Sequence, residues 1–142
     1  MEENKLRELF EHALHTHQDH SGNLFMYSLL DFNIEYLEEE EQVVIQVPIT
    51  PIMFNPIGFI HGGIISYIAD TAMGHLCAAF CETPSVTLEL KTQFLSTARE
   101  GTVTATAYFT KKGRKVQFVE CELKNEEGKL LAKVSGTFYP IS

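Results

Sequence analysis

The feature that most constrains this chain is one long apolar segment, Ile64 to Phe80, which carries a single acidic residue, Asp70. Nearly every other side chain in the segment is apolar or small, so we predict a helix that is buried on most sides. Gly62 and Gly63 come just before it and place unobstructed backbone amides at the helix start, where the helix dipole favours negative charge. A buried carboxylate is costly unless it is paired, hydrogen-bonded or used in chemistry. The segment therefore combines an acid with a site that can stabilise an anion.

Length and composition fit one globular domain over residues 1–142, with 44% apolar and 21% charged residues. The formal net charge of −8 argues against a nucleic-acid partner, because phosphate neutralisation needs a basic surface. The N-terminus has no signal-peptide pattern, and the three cysteines form no paired framework. Polar residues and glycines make the apolar segment a poor membrane span. We therefore expect a cytoplasmic protein without a membrane partner.

Hydrophobic periodicity predicts the other elements. Residues 2–18 have helical spacing, with one shared face formed by Leu6, Phe10, Ala13 and Leu14. Alternating patterns predict strands over 27–37, 42–48, 86–95, 102–110, 116–124 and 130–139. The short links between the last four, beginning with Arg99–Gly101, suit hairpin turns and predict an antiparallel meander. Because only one long apolar helix can cover the sheet, we predict an α+β fold in which a curved antiparallel sheet wraps around that helix.

The chain resembles the hotdog-fold acyl-CoA thioesterases, specifically the phenylacetate-degradation (PaaI-type) branch. The resemblance covers nearly the whole chain. Its core motif consists of Asn55, Gly58, His61-Gly62-Gly63, Asp70 and Gly74, all at the spacing of the family. It implies the hotdog fold and hydrolysis of a coenzyme A thioester to a free acid and a thiol. It also implies a homodimer, or a dimer of dimers, that needs no metal and no other cofactor.

The resemblance assigns a role to each catalytic candidate. Asp70 corresponds to the nucleophile or general base, and Gly62 corresponds to the amide that holds the thioester oxygen. Asn55 corresponds to the loop residue that orients the attacking water or the substrate carbonyl. Thr87 falls where many relatives have a serine near the acid. We expect His61 to fix the loop by a hydrogen bond rather than to transfer protons.

The same residues meet the chemical requirements of thioester hydrolysis even when the family resemblance is set aside. Thioester hydrolysis needs an activated nucleophile and donors aimed at the developing oxyanion. Asp70 lies eight residues after Gly62, which is about 12 Å along one helix. Both groups must reach the same carbonyl within roughly 3 Å. We therefore predict that Gly62 of one chain works with Asp70 of a neighbour, unless the helix bends near the glycines.

The candidate substrate contacts have two readings each. Lys111, Lys112, Arg114 and Lys115 surround Gly113, either as a solvated hairpin tip or as a seat for the coenzyme A phosphates. In the second reading Lys112, Gly113 and Arg114 contact the substrate. Gly63 is a further candidate contact. Four residues line an acyl pocket or form core: Met53, Phe54, Phe59 and Met73.

A histidine group and two alternative functions complete the sequence hypotheses. His12, His15, His17 and His20 have partly helical spacing, but without cysteine or carboxylate partners we expect an exposed helix end rather than a metal site.

A non-catalytic acyl-CoA sensor would need an output segment, which the short N-terminal helix does not resemble. A hotdog dehydratase would need a histidine–acid pair, whereas the acid here is at the thioesterase position.

Overall fold

The computed structural model describes residues 1–18 and 23–141, and its main feature is one six-stranded antiparallel sheet packed against one long helix. In chain order the elements are α1 (Glu3–Thr16), α2 (Phe25–Leu30), β1 (Asn33–Leu37), β2 (Gln42–Pro48), α3 (Gly62–Phe80), β3 (Ser85–Phe94), β4 (Thr102–Lys112), β5 (Gln117–Lys124) and β6 (Leu130–Pro140). The predicted α+β architecture is confirmed. None of the described helices has the length and apolar character needed to cross a bilayer.

The sheet is not the simple meander that the sequence predicted. Its strand order is β1-β2-β4-β5-β6-β3, so β3 pairs with β6 at one edge and does not touch β4. The link after β3 crosses the end of the sheet, where the amide of Leu95 donates to the carbonyl of Leu131 at 2.8 Å. The prediction of a hairpin turn at Arg99–Gly101 is therefore wrong. Alternating hydrophobicity identifies a strand but does not say which strand lies beside it.

The predicted strand over 27–37 is also wrong in its first part. Residues Phe25–Leu30 form the short helix α2, which ends at Asp31 in the left-handed conformation with φ of 59°. The ring of Tyr27 stacks on Phe32, with centroids 5.3 Å apart. Tertiary packing of these aromatic side chains overrides their preference for extended backbone.

The apolar face of α1 is present but remains largely open. Ala13 is buried, whereas Leu6, Phe10 and Leu14 are 44%, 49% and 44% exposed. The helix packs on α2, where the rings of Phe10 and Phe25 meet edge to face at 5.5 Å. The shared face that the sequence predicted therefore covers α2 rather than the sheet.

Helix α3 buries one face against the sheet and leaves the other partly open. Ile68, Met73 and Leu76 are fully buried, and each such side chain stabilises the fold by roughly 1.5–3 kcal/mol. Close packing needs Gly136 on β6, because a Cβ there would lie 3.2 Å from the Met73 side chain. The opposite face carries Asp70, which is only half-buried. The sequence predicted that this helix is buried on most sides, but only the side of α3 that faces the sheet is fully buried.

Candidate active site

Asp70 lies in the middle of α3, on the face that is not covered by the sheet. The hydroxyl of Thr87 on β3 donates to Asp70 Oδ1 at 2.6 Å. A donor at this distance fixes the position of the carboxylate. The two residues open into a cleft of about 440 Å³, which we name the acid cleft. Its lining also includes Tyr27, Tyr67, Thr71, Gly74, His75, Ala78, Ser85, Val86 and Phe138.

One wall of the acid cleft is held by a histidine between two tyrosines. The hydroxyl of Tyr36 lies 2.7 Å from His75 Nδ1, and that of Tyr27 lies 3.2 Å from His75 Nε2. Burial lowers the pKa of His75 below its usual value of 6.5, so the imidazole stays neutral at physiological pH. This wall was not singled out from the sequence. The helical spacing of Tyr67, Thr71 and His75 could have placed His75 beside Asp70 on α3, but it carries no information about the two tyrosines that contact His75.

The start of α3 leaves one amide available. His61 is the N-cap, and its Nδ1 accepts from the amide of Gly63 at 3.2 Å. The carbonyl of His61 accepts from the amides of Ile64 and Ile65. Within residues 1–18 and 23–141, the amide of Gly62 has no hydrogen-bond partner. Gly62 therefore has a free donor at the positive end of the helix dipole, whereas Gly63 does not.

Asn55 shapes the loop before this helix. Its Oδ1 accepts from the amides of Ile57 and Phe59, both at 3.1 Å. Because that oxygen is used within the loop, only the Nδ2 group of Asn55 can act on a bound molecule. Asn55 and Gly62 line a small cleft of about 190 Å³, which we name the amide cleft. The ring of Phe94 from β3 covers it, so that a Cβ on Gly62 would lie 3.1 Å from that ring.

Within one chain the acid cleft and the amide cleft are separate, and no residue lines both. Helix α3 runs unbroken from Gly62 to Phe80. Eight residues of continuous helix correspond to about 12 Å between Gly62 and Asp70. The bend that would allow a site within one chain is therefore absent.

A third cleft, of about 570 Å³, lies at the tip of the β4–β5 hairpin and is lined by three of the four cationic residues that the sequence indicated, without Lys111. Lys112 is paired with Glu41 at 3.0 Å, whereas Arg114 has no ion pair among the described residues. We name this the cationic cleft, and its lining includes Lys112, Gly113, Arg114, Lys115 and Gln117. Ser85 lines both the cationic cleft and the acid cleft, so the two clefts are neighbours.

Other candidate residues lie elsewhere. Met73 and Met53 are core residues with at most 1% exposure. Phe59 lines a separate cleft, with the guanidinium of Arg99 4.3 Å from its ring centre. Among the described residues, no group of three histidine, cysteine, aspartate or glutamate side chains could hold a metal ion. His20, one of the four clustered histidines, lies outside the described residues.

Comparison with known proteins places this arrangement in a family. A family model described as the thioesterase superfamily matches residues 57–132, more than half of the chain. The 1,4-dihydroxy-2-naphthoyl-CoA hydrolase of Listeria monocytogenes is 30% identical over 95 residues, which cover 66% of this chain and 77% of that protein.

Two solved structures share the fold. A Bacillus halodurans protein solved with CoA has a TM-score of 0.89 and 24% identity, covering 99% of this chain and 94% of that one. The PaaI protein from the phenylacetic acid degradation operon of Escherichia coli has a TM-score of 0.77 and 24% identity, covering 98% and 95%. The chain therefore belongs to the thioesterase superfamily, has the hotdog fold and is a thioester hydrolase.

Proposed function

We propose that this protein is an acyl-CoA thioesterase of the PaaI-type branch, which hydrolyses a small or medium acyl-CoA or an arylacyl-CoA. Residues 1–142 act as one domain, and two chains together form each active site. The observation that carries the proposal is the position of the two half-sites. The acid cleft lies beside the beginning of β3, at Thr87, and the amide cleft lies beside its end, at Phe94.

Strand β3 is suited to pairing with a second copy. It is an edge strand, so one row of its backbone groups has no strand partner within the chain. Val86, Leu88 and Phe94 on it are 49%, 61% and 57% exposed. Two-fold pairing of identical edge strands is antiparallel and brings the beginning of one β3 alongside the end of the other. Asp70 of one chain then faces Gly62 of its partner across the new junction.

The residues at that junction supply the elements of thioester hydrolysis. The carboxylate of Asp70 attacks the thioester carbon directly or removes a proton from the attacking water. The carbonyl oxygen gains negative charge and is stabilised by the free amide of the partner's Gly62. The carbon–sulfur bond then breaks, the thiolate takes up a proton, and water supplies the oxygen of the product acid. Thr87 acts as a positioning residue that holds Asp70.

Coenzyme A is the proposed leaving group because the acid cleft and the cationic cleft are neighbours that share Ser85 in their linings. Along β3, Ser85 lies two residues from Thr87, which is about 7 Å. A thioester held at Asp70 can therefore extend its thiol portion towards Arg114. The fold neighbour solved with CoA supports this choice of ligand. The guanidinium group suits phosphate recognition, and an acidic protein needs such a local positive field for an anionic substrate.

Replacing Arg114 by glutamine is expected to raise KM for acyl-CoA about fivefold to tenfold with little change in kcat, because one phosphate contact is lost from both ground and transition states. Steady-state kinetics should be compared with the same acyl group on N-acetylcysteamine, which has no phosphates. That substrate is expected to show no change. Lys129→Gln, an exposed cation on the β5–β6 turn, is the matched control. If KM rose equally for both substrates, the cationic cleft would not bind the phosphates of coenzyme A.

The experiment that tests the proposed function is thiol release from a panel of acyl-CoAs and arylacyl-CoAs, measured with the purified protein. We expect hydrolysis of at least one of them. Tight binding of acyl-CoA without release of thiol would instead indicate a non-catalytic acyl-CoA-binding protein.

A further inference from the structure

The polar side chains of the acid cleft differ in whether they are already hydrogen-bonded to other groups of the protein. His75 contacts Tyr36 through Nδ1 at 2.7 Å and Tyr27 through Nε2 at 3.2 Å. A neutral imidazole has one donor nitrogen and one acceptor nitrogen. One tyrosine hydroxyl must therefore donate to the ring, and the other must accept from it.

The hydroxyl of Thr71 is also used within the protein. It donates to the backbone carbonyl of Tyr67 at 2.8 Å, and a carbonyl can only accept. Burial raises the pKa of Tyr27, so its hydroxyl stays protonated. The hydroxyls of Tyr27, Tyr36 and Thr71 are therefore each hydrogen-bonded within the protein.

Tyr67 differs from Tyr27 although both line the same cleft. Burial raises the pKa of Tyr67, so its hydroxyl remains a proton donor, and the residue lines the acid cleft together with Asp70 and Tyr27. In the part of the chain that the structure describes, the hydroxyl of Tyr67 makes no hydrogen bond. It is therefore able to donate to a molecule bound in the cleft.

We propose that Tyr67 is a specificity-determining residue, whose hydroxyl donates a hydrogen bond to an oxygen acceptor on the acyl group of the substrate. This inference rests on the proposed function. The preferred substrates are then CoA thioesters whose acyl group carries an ether, carbonyl or hydroxyl oxygen. The rings of Tyr27 and Phe138 pack against the remaining apolar part.

The test uses pairs of acyl groups that have the same shape and differ in one oxygen. We choose methoxyphenylacetyl-CoA and ethylphenylacetyl-CoA, each with the substituent at the ortho, meta or para position. The wild-type protein is expected to favour the methoxy member of at least one pair by about fivefold to tenfold in kcat/KM, the value of one net hydrogen bond. In Tyr67→Phe the ratio for that pair should fall to about 1.

Tyr27→Phe is the matched control, because it removes a hydroxyl from the same cleft that is already hydrogen-bonded to His75. It should keep the preference of the wild type, and thermal melting shows whether each variant is folded. A wild-type ratio near 1 for every pair would overturn the proposal, and so would loss of the preference in Tyr27→Phe but not in Tyr67→Phe. If the protein hydrolysed these thioesters without any preference, the proposed role of Tyr67 would fail while the proposed thioesterase function would still hold. The failure of one proposal is therefore distinguishable from the failure of the other.

Discussion

Asp70→Asn is expected to lower the rate of thiol release by on the order of a hundredfold or more. Asparagine has nearly the same shape, and its side-chain oxygen can still accept from Thr87. It is neither a nucleophile nor a base. The change therefore removes the chemistry while the cleft keeps its form. The measurement is kcat with a saturating acyl-CoA, together with the melting temperature of each protein.

Glu39→Gln is the matched control for Asp70→Asn, since Glu39 is an exposed acid in the turn between β1 and β2, away from the edge strand β3. It should keep nearly full activity. If Asp70→Asn retained more than a tenth of the wild-type kcat, Asp70 would be a structural acid and the proposed mechanism would be wrong.

Gly62→Pro is expected to reduce kcat by roughly 100- to 1,000-fold, because it removes the one free amide at the start of α3. Gly62 is the first residue of the helix, a position at which proline is well tolerated. His61 before it has ψ of 135°, which is the extended backbone that a following proline requires. The substitution therefore deletes the proposed oxyanion donor with little cost to the helix.

Gly62→Ala separates the amide from the added bulk. Both variants place a Cβ 3.1 Å from the ring of Phe94, but only alanine keeps the N–H group. Phe94 is 57% exposed, so its ring can yield to the new atom. We expect Gly62→Ala to be much more active than Gly62→Pro. Equal losses in the two variants would mean that crowding, rather than the amide, explains the effect.

Much of the fold could be predicted from the sequence, because helix and strand periodicities are local. The long helix and five of the six strands follow from neighbouring residues, and the prediction that His61 makes a local hydrogen bond agrees with its contact to the amide of Gly63. The place of β3 beside β6 could not be predicted, since it depends on a link that crosses the sheet. The helix at Phe25–Leu30 was missed because aromatic residues also suit strands.

Only part of the candidate site could be predicted from the sequence. The spacing between Gly62 and Asp70 predicted a separation, and the unbroken helix and the two separate clefts agree with it. The wall formed by Tyr27, Tyr36 and His75 joins three elements that are distant in sequence. No local pattern brings them together. Their contacts arise only once β1 and α2 pack against α3.

The central claim is that each active site combines Asp70 of one chain with Gly62 of another, and mixed oligomers test it most directly. Asp70→Asn and Gly62→Pro chains carrying different tags are produced together, and assemblies with both tags are purified. A mixed dimer then has one intact site and one doubly altered site. We predict about half of the wild-type activity per dimer, recovered from two chains that are nearly inactive alone. Activity no greater than that of either variant would contradict a site shared between chains.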